Sequence, residues 1–226
     1  MAPLRSLIAA TLLFLSAANA HFELTHPPSL EGDKMNEGLE GNAPCGGGVA
    51  DLTQNTANDF HVDGDSVAVI LGHPQASWLI RATLDSRAAG NWTQLFPIFQ
   101  QSGRGNFCQP AVTAPKEWVG KKGFISVASK AVDGILFQCA AVNFVSGASA
   151  APDASTCNNG SSVTASFQDD PSLTALLGAG STTTSPSPAV STSGNAAPSL
   201  LPQGSGLSMG SAAVTALMLV VGMALL

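Results

Sequence analysis

The chain has 226 residues, of which 9 are basic and 15 are acidic, and its formal net charge is −6. This balance argues against proteins that bind polyanions, because a negative surface repels phosphate backbones, and we expect no nucleic-acid partner. The same negative field attracts cations. The 23 glycines and 14 prolines interrupt the chain too often for long helices, and there is no tyrosine.

Residues 1–20 are typical of a secretory signal peptide. Arg5 supplies the positive start, the run LIAATLLFLSAA is the apolar segment, and Ala18-Asn19-Ala20 is a small-residue cleavage site. Cleavage after Ala20 makes His21 the first residue of the mature protein. Because Arg5 is removed, 8 basic residues then stand against 15 acidic ones, which is a net charge near −7.

A histidine in the first position offers two nitrogens from one residue. Its free α-amine and its ring Nδ1 together can close a chelate ring on a metal ion, whereas the backbone nitrogen of an internal histidine is tied up in an amide. An amine and two imidazoles make a T-shaped set of three nitrogens, which suits the tetragonal preference of Cu(II). His21 is therefore a candidate metal ligand, with an uninvolved surface residue as the alternative.

Three further histidines are candidates for the second imidazole. His26 lies in THPP, where two prolines hinder folding back toward His21. His61 lies among three aspartates in NDFHVDGD, which is typical of a solvated turn. His73 lies in GHP, in a connection between two predicted strands, so we prefer it as the ligand.

The pattern of the central region predicts an all-β domain over residues 21–167. Short apolar runs are separated by Gly, Pro, Asn and Asp, which favours an immunoglobulin-like antiparallel β-sandwich. The clearest predicted strands are Ser66–Leu71, Trp78–Leu84, Leu95–Gln100, Gly123–Ser129 and Ile135–Val145.

The four cysteines all fall in this domain, and a secreted chain is expected to pair them in two disulfides. Three pairings are possible, and we expect Cys45–Cys157 and Cys108–Cys139. No C-x-x-C pair occurs, so a four-thiolate zinc site is disfavoured. The triplets starting at Asn91 and Asn159 are N-glycosylation acceptors.

The remaining chain resembles a stalk and an anchor signal. Residues 168–195 are rich in Ser, Thr, Ala and Pro, which predicts a disordered linker that is a candidate for O-glycosylation. Residues 196–226 contain a short spacer and an apolar tail, which favours a GPI-attachment signal with Asn195 as the attachment site, or Gly194 or Ser193 nearby. An ordinary transmembrane anchor is the alternative.

Four stretches occur in a specific order: HFELTHPP, SVAVILGHPQASWLIRATL, LFPIFQQSGRGNFCQP and VDGILFQCAAVNF. In this order the chain resembles the fungal copper-acquisition-factor family, proteins similar to lytic polysaccharide monooxygenases. The resemblance implies an immunoglobulin-like sandwich with a histidine brace that holds one Cu(II). Matched by motif, the brace falls on His21 and His73, and a carboxylate ligand falls on Asp133. Read without the family, Asp133-Gly134 is a hairpin turn.

The resemblance fits both a copper-binding protein and a copper-dependent enzyme. A carboxylate on copper adds negative charge, favours Cu(II) over Cu(I) and occupies a position that dioxygen would use. No row of aromatic residues that could dock a polysaccharide is visible, and Phe144, which could screen the metal, reads as a core residue. We therefore expect a non-catalytic copper-binding protein on the outer face of the plasma membrane or in the cell wall, with a membrane copper transporter as a possible partner. The alternatives are a copper-dependent polysaccharide monooxygenase and a metal-free structural wall protein.

Overall fold

The computed structural model describes residues 21–32, 36–151 and 154–178. The predicted signal peptide and the proposed anchor site at Asn195 lie outside these ranges. Within them, the strands are β1 Phe22–His26, β2 Asn58–His61, β3 Asp65–Leu71, β4 Gln75–Thr83, β5 Thr93–Ser102, β6 Gly105–Val112, β7 Lys122–Ala131, β8 Gly134–Val145 and β9 Thr164–Phe167. Short 3-10 helices span Glu37–Leu39, Lys116–Trp118 and Ala175–Leu177, and one α-helical turn, α1, spans Pro171–Thr174.

The strands form two sheets, as the all-β prediction requires. One sheet has the order β1-β3-β6, and the other has the order β2-β8-β7-β4-β5-β9. All neighbouring strands are antiparallel except β2 and β8, which are parallel. The predicted all-β sandwich is thus confirmed, with one parallel pair that the antiparallel prediction did not include.

The larger sheet is covered on both faces, and this explains its long apolar runs. Alternate residues of a strand point to opposite faces. Trp78 and Ile80 pack in the core between the two sheets, whereas Leu79 between them joins a second cluster on the outer face. Strands buried on both faces read as continuous apolar segments, which is why β4, β7 and β8 were predictable from sequence.

The C-terminal part of the described chain belongs to the outer layer. Leu173 in α1 is fully buried, and the guanidinium of Arg81 donates a hydrogen bond to the carbonyl of Leu176. Lys130 Nζ lies 2.9 Å from an Asp170 carboxylate oxygen, and Asp170 also caps α1. The structure therefore continues to residue 178, beyond the boundary at residue 167 where we predicted the linker to begin.

Two disulfides are present, but the predicted pairing was wrong. The bonds are Cys45–Cys139 and Cys108–Cys157. Cys139 packs in the outer cluster of the larger sheet, whereas Cys108 lies on β6 of the smaller sheet, next to the inward-facing Phe107 and therefore on the face away from the core between the sheets. A sulfur on the outer face cannot reach β6 through the sheet, so Cys139 pairs with the loop that covers that outer face.

Candidate metal centre

His21 is held at the end of the smaller sheet by the pairing of β1 with β3. Phe22 pairs with Leu71, and the backbone N–H of Gly72 donates to the His21 carbonyl at 2.9 Å. The Phe22 ring is buried and meets Trp78 edge-on, with centroids 5.2 Å apart. This anchor places His21 beside the connection between β3 and β4, which carries His73.

Asp133 is brought to the same connection by the larger sheet. Ser77 pairs with Lys130, so β4 begins where β7 ends. The β7–β8 ladder closes on Ala131 and Gly134 and leaves Asp133 in the hairpin loop. As a result, Asp133 Oδ2 lies 2.9 Å from His73 Nε2. The hairpin expected from Asp-Gly is present, and it presents the carboxylate to the histidine.

Several polar atoms at this end of the sandwich are buried without a hydrogen bond. They include His21 Nδ1, His73 Nε2 and Glu40 Oε2. The approach of Asp133 to His73 is close but lacks hydrogen-bond geometry. Buried polar atoms normally have a partner, so three such atoms at one place need an explanation. Two are imidazole nitrogens of the kind that bind transition metals, and a metal ion would satisfy them.

The side chains do not converge into a finished metal site. Among the described residues, no group of three His, Cys, Asp or Glu side chains is placed to hold a metal ion. A brace takes only two imidazoles from side chains and a third nitrogen from the amine that cleavage before His21 would free. The residues present thus fit a metal through two imidazole nitrogens that make no hydrogen bond, and the ligand roles of His21, His73 and Asp133 stay predictions.

Two acidic residues that the sequence analysis missed surround His21. Glu37 Oε2 lies 3.5 Å from His21 Nδ1, and Glu40 Oε2 lies 3.8 Å from His21 Nε2. Glu37 is 46% exposed, whereas Glu40 is fully buried. The polar residue Gln138, which interrupts the apolar run of β8, was the available signal, because a buried amide needs partners. One of its partners is Glu40 Oε1, which accepts from Gln138 Nε2 at 2.6 Å.

The electrostatics of Glu40 connect the members of this cluster. Burial raises the pKa of the Glu40 carboxyl, and the hydrogen bond from Gln138 and the charge of His21 offset part of that rise. The negative charges of Glu37 and Asp133 raise the same pKa further. The site therefore concentrates carboxylates around two imidazoles, which favours binding of a cation.

His26 and His61 lie elsewhere. His26 pairs with Ala68, about five residues and roughly 16 Å along β1 from His21. Both histidines face the buried carboxylate of Asp65, with His61 Nδ1 at 2.9 Å and His26 Nε2 at 3.8 Å. The choice of His73 as the second imidazole ligand stays a prediction.

The Asp65 cluster predicts an acid-dependent loss of stability. Burial acts to raise the pKa of Asp65, but contacts with His26, His61 and Ser66 outweigh it and hold that pKa well below its ordinary value of 3.8. A depressed carboxyl pKa stabilises the fold above the unfolded pKa, and the contribution disappears as the pH falls toward the folded pKa. We expect Asp65→Asn to lower the free energy of unfolding at pH 7 by about 2 kcal/mol, and to cost less as the pH falls below about 4.

Urea unfolding across this pH range measures the effect. The matched control is Asp63→Asn, because Asp63 pairs at 3.2 Å with the exposed Lys116 at the surface, where ion pairs contribute about 0–1 kcal/mol. Equal losses for Asp63→Asn and Asp65→Asn, or a loss for Asp65→Asn that does not change with pH, would contradict this account.

Comparison with known proteins identifies the family. Residues 19–162, well over half of the chain, match the model of the copper acquisition factor BIM1-like domain. The chain belongs to the BIM1-like copper acquisition factor family. Membership in this family relates the protein to copper, and the candidate ligands His21, His73 and Asp133 all fall inside the matched range.

Two further similarities accompany this match. The chain is 34% identical over 147 residues to a Yarrowia lipolytica protein named lytic polysaccharide monooxygenase-like protein X325; the aligned region covers 60% of this chain and 52% of the relative. The chain thus spans about half the length of that relative. It also resembles the crystal structure of a monooxygenase of this class from Kitasatospora papulosa, at 16% identity and a TM-score of 0.29, over 40% of this chain and 51% of the other. That structural likeness is too partial to bear on function.

Proposed function

We propose that this protein binds one Cu(II) ion outside the cell and takes part in copper acquisition or homeostasis at the fungal cell surface. The amine and Nδ1 of His21, an imidazole nitrogen of His73 and an oxygen of Asp133 serve as ligands. The observation that carries the proposal is the pair of buried imidazole nitrogens, His21 Nδ1 and His73 Nε2, which make no hydrogen bond and have carboxylates close by. Family membership supports copper as the ion.

The proposed role is capture of the ion without oxidation of a glycan. Asp133 stands 2.9 Å from His73 and is 32% exposed, so a carboxylate is available on the solvent side of the imidazole. As a ligand it favours Cu(II) over Cu(I) and takes a position that dioxygen needs.

The surface offers little for polysaccharide. The three tryptophans, Trp78, Trp92 and Trp118, are 1%, 7% and 9% exposed. Among the large exposed hydrophobic residues of the described chain, only Phe167 is aromatic. The described residues therefore offer no row of exposed aromatic rings on which sugar rings could stack, which supports copper binding without action on a glycan.

The proposed location is the outer face of the plasma membrane or the cell wall. The predicted signal peptide, the predicted linker and the predicted GPI signal that follows Asn195 support this placement, and a membrane transporter that accepts the ion is the proposed partner. No helix among the described residues is long and apolar enough to cross a membrane.

The test uses the natively processed protein that begins at His21. We expect isothermal titration and metal analysis to show one tightly bound Cu(II) per chain. With a reductant and cell-wall glycan present, we expect no oxidised oligosaccharides in mass spectra. Oxidised products would assign a monooxygenase activity instead, and a protein that binds no copper would favour a structural wall protein.

A further inference from the structure

Glu40 occupies a place that the larger sheet determines closely. The disulfide Cys45–Cys139 joins its loop to β8, and the backbone N–H of Phe137 donates to the Glu40 carbonyl at 2.8 Å. Gly46 lies so close to β8 that a Cβ there would stand 1.9 Å from the Phe137 carbonyl oxygen, and its φ of +66° favours glycine. The loop therefore holds the Glu40 carboxylate at a defined position.

Gln138 determines how the Glu40 carboxylate is oriented. The Gln138 side-chain oxygen accepts from the backbone N–H of Leu24 at 2.8 Å, so its NH2 group is the donor that faces Glu40. The same NH2 group donates to the Phe22 carbonyl. One amide thus connects β8, β1 and Glu40, and it uses Oε1 of Glu40 as the acceptor.

The second carboxylate oxygen, Oε2, faces His21. It is buried, makes no hydrogen bond, and lies 3.8 Å from His21 Nε2. This distance is about 1 Å longer than a typical N–H···O bond, so the contact is electrostatic as it stands. A carboxylate can only accept, so it favours the imidazole tautomer that carries the proton on Nε2.

We propose that Glu40 is a positioning residue, whose carboxylate keeps the proton of His21 on Nε2 and leaves the lone pair of Nδ1 free for the metal. The proposal rests on the proposed function for the identity of the metal, but its tautomer can be measured without one. The role is that of a carboxylate which orients a metal-binding histidine through the nitrogen that does not bind. Glu40 itself contacts the nitrogen opposite the ligand atom, so it is not assigned as a ligand.

The decisive variant is Glu40→Gln. It preserves the shape of the side chain, but it replaces the oxygen that faces His21 Nε2, an acceptor, with an NH2 group, a donor. The NH2 group of Gln138 still requires an oxygen, so the new amide must present its own NH2 group to His21. An amide donor at that position favours an acceptor on Nε2 and therefore a proton on Nδ1. In Glu40→Gln the proton therefore sits on Nδ1, the nitrogen that the metal needs.

The experiment records long-range 1H–15N correlation spectra of the natively processed, metal-free protein labelled with 15N-histidine, at a pH where imidazole is neutral. We expect His21 to carry its proton on Nε2 in the native protein and on Nδ1 in Glu40→Gln. We also expect the Cu(II) affinity of Glu40→Gln to fall about 10- to 100-fold, as for other residues that orient metal ligands.

The matched control is Glu37→Gln. Glu37 lies 3.5 Å from His21 on the Nδ1 side and is 46% exposed, so it is a competing acceptor that solvent screens more than it screens the buried Glu40. This variant removes the same charge and should leave the proton on Nε2. A second variant, Glu40→Met, provides a test if Glu40→Gln does not fold; it has no donor or acceptor at that place and should give a mixture of tautomers.

Two results would overturn the proposal. One is a native His21 that carries its proton on Nδ1, and the other is a native tautomer that persists in both Glu40 variants. If the tautomers behave as expected but the native protein binds no copper, the proposed function fails and the role of Glu40 in orienting His21 stands.

Discussion

One extra alanine before His21 should lower the Cu(II) affinity of the protein at least about 100-fold, which corresponds to about 2.7 kcal/mol of binding free energy. The added residue converts the α-amine of His21 into an amide, whose nitrogen does not bind Cu(II) unless it loses its proton. The site then loses one of its three nitrogens together with the chelate ring that this nitrogen forms with Nδ1. Titration of the native and extended proteins with Cu(II) measures the difference.

A cleavable extension supplies the control for this prediction. The strand β1 begins at Phe22 and is anchored by the buried Phe22 ring, so the fold does not depend on a free terminus. Proteolytic removal of the extension should therefore restore full affinity in the same sample. An extended protein that binds as tightly as the native one would show that the terminal amine is not a ligand.

The second large effect concerns the disulfide Cys45–Cys139. It closes a loop of 94 residues, and in the chain-entropy model its removal costs about 4–5 kcal/mol of stability. It also releases the loop that carries Glu37 and Glu40 from β8. The double variant Cys45→Ala/Cys139→Ala should therefore lose both stability, measured by urea unfolding, and Cu(II) affinity, measured on the fraction that remains folded.

The other disulfide separates these two effects. Cys108–Cys157 closes a loop of 49 residues and stabilises the fold by about 4 kcal/mol in the same model. It links β6 to the segment before β9, and neither of these carries a candidate ligand. Its removal should cost comparable stability and leave the Cu(II) affinity of the folded protein unchanged. An equal loss of affinity in both double variants would refute a specific role for the Glu40 loop.

The strands that were predictable from sequence are those with continuous apolar runs. Residues 135–145 form such a run because β8 is covered on both faces, and residues 66–71 form one in β3, where Ile70 is 37% exposed; the structure places strands at both. The missed strands β1, β2, β6 and β9 mix apolar and polar residues or are only four or five residues long. Pairing with neighbours distant in sequence, rather than local pattern, makes them strands.

The residues of the candidate site also include some that were predictable from sequence and some that were not. The resemblance to the copper-acquisition-factor family implied that His73 and Asp133 lie close together, and the structure places the two side chains 2.9 Å apart. For Glu40 the signal was only the polar Gln138 within the apolar run of β8, which does not say which residue is its partner. The position of Glu40 depends on the disulfide Cys45–Cys139 and on the contact with Gln138, which lies 98 residues away. Long-range pairing also defeated the prediction of the disulfides, since the face to which each cysteine points was not readable without the sheet order.

The most direct test of the histidine brace is an electron paramagnetic resonance spectrum of the Cu(II)-loaded, natively processed protein grown with 15N-histidine. The amine of His21 and both imidazoles belong to histidines, so all three nitrogens coupled to the copper should change from 14N to 15N together. A spectrum that retains a 14N coupling from a backbone amide, or that shows fewer than three coupled nitrogens, would contradict the brace formed by His21 and His73.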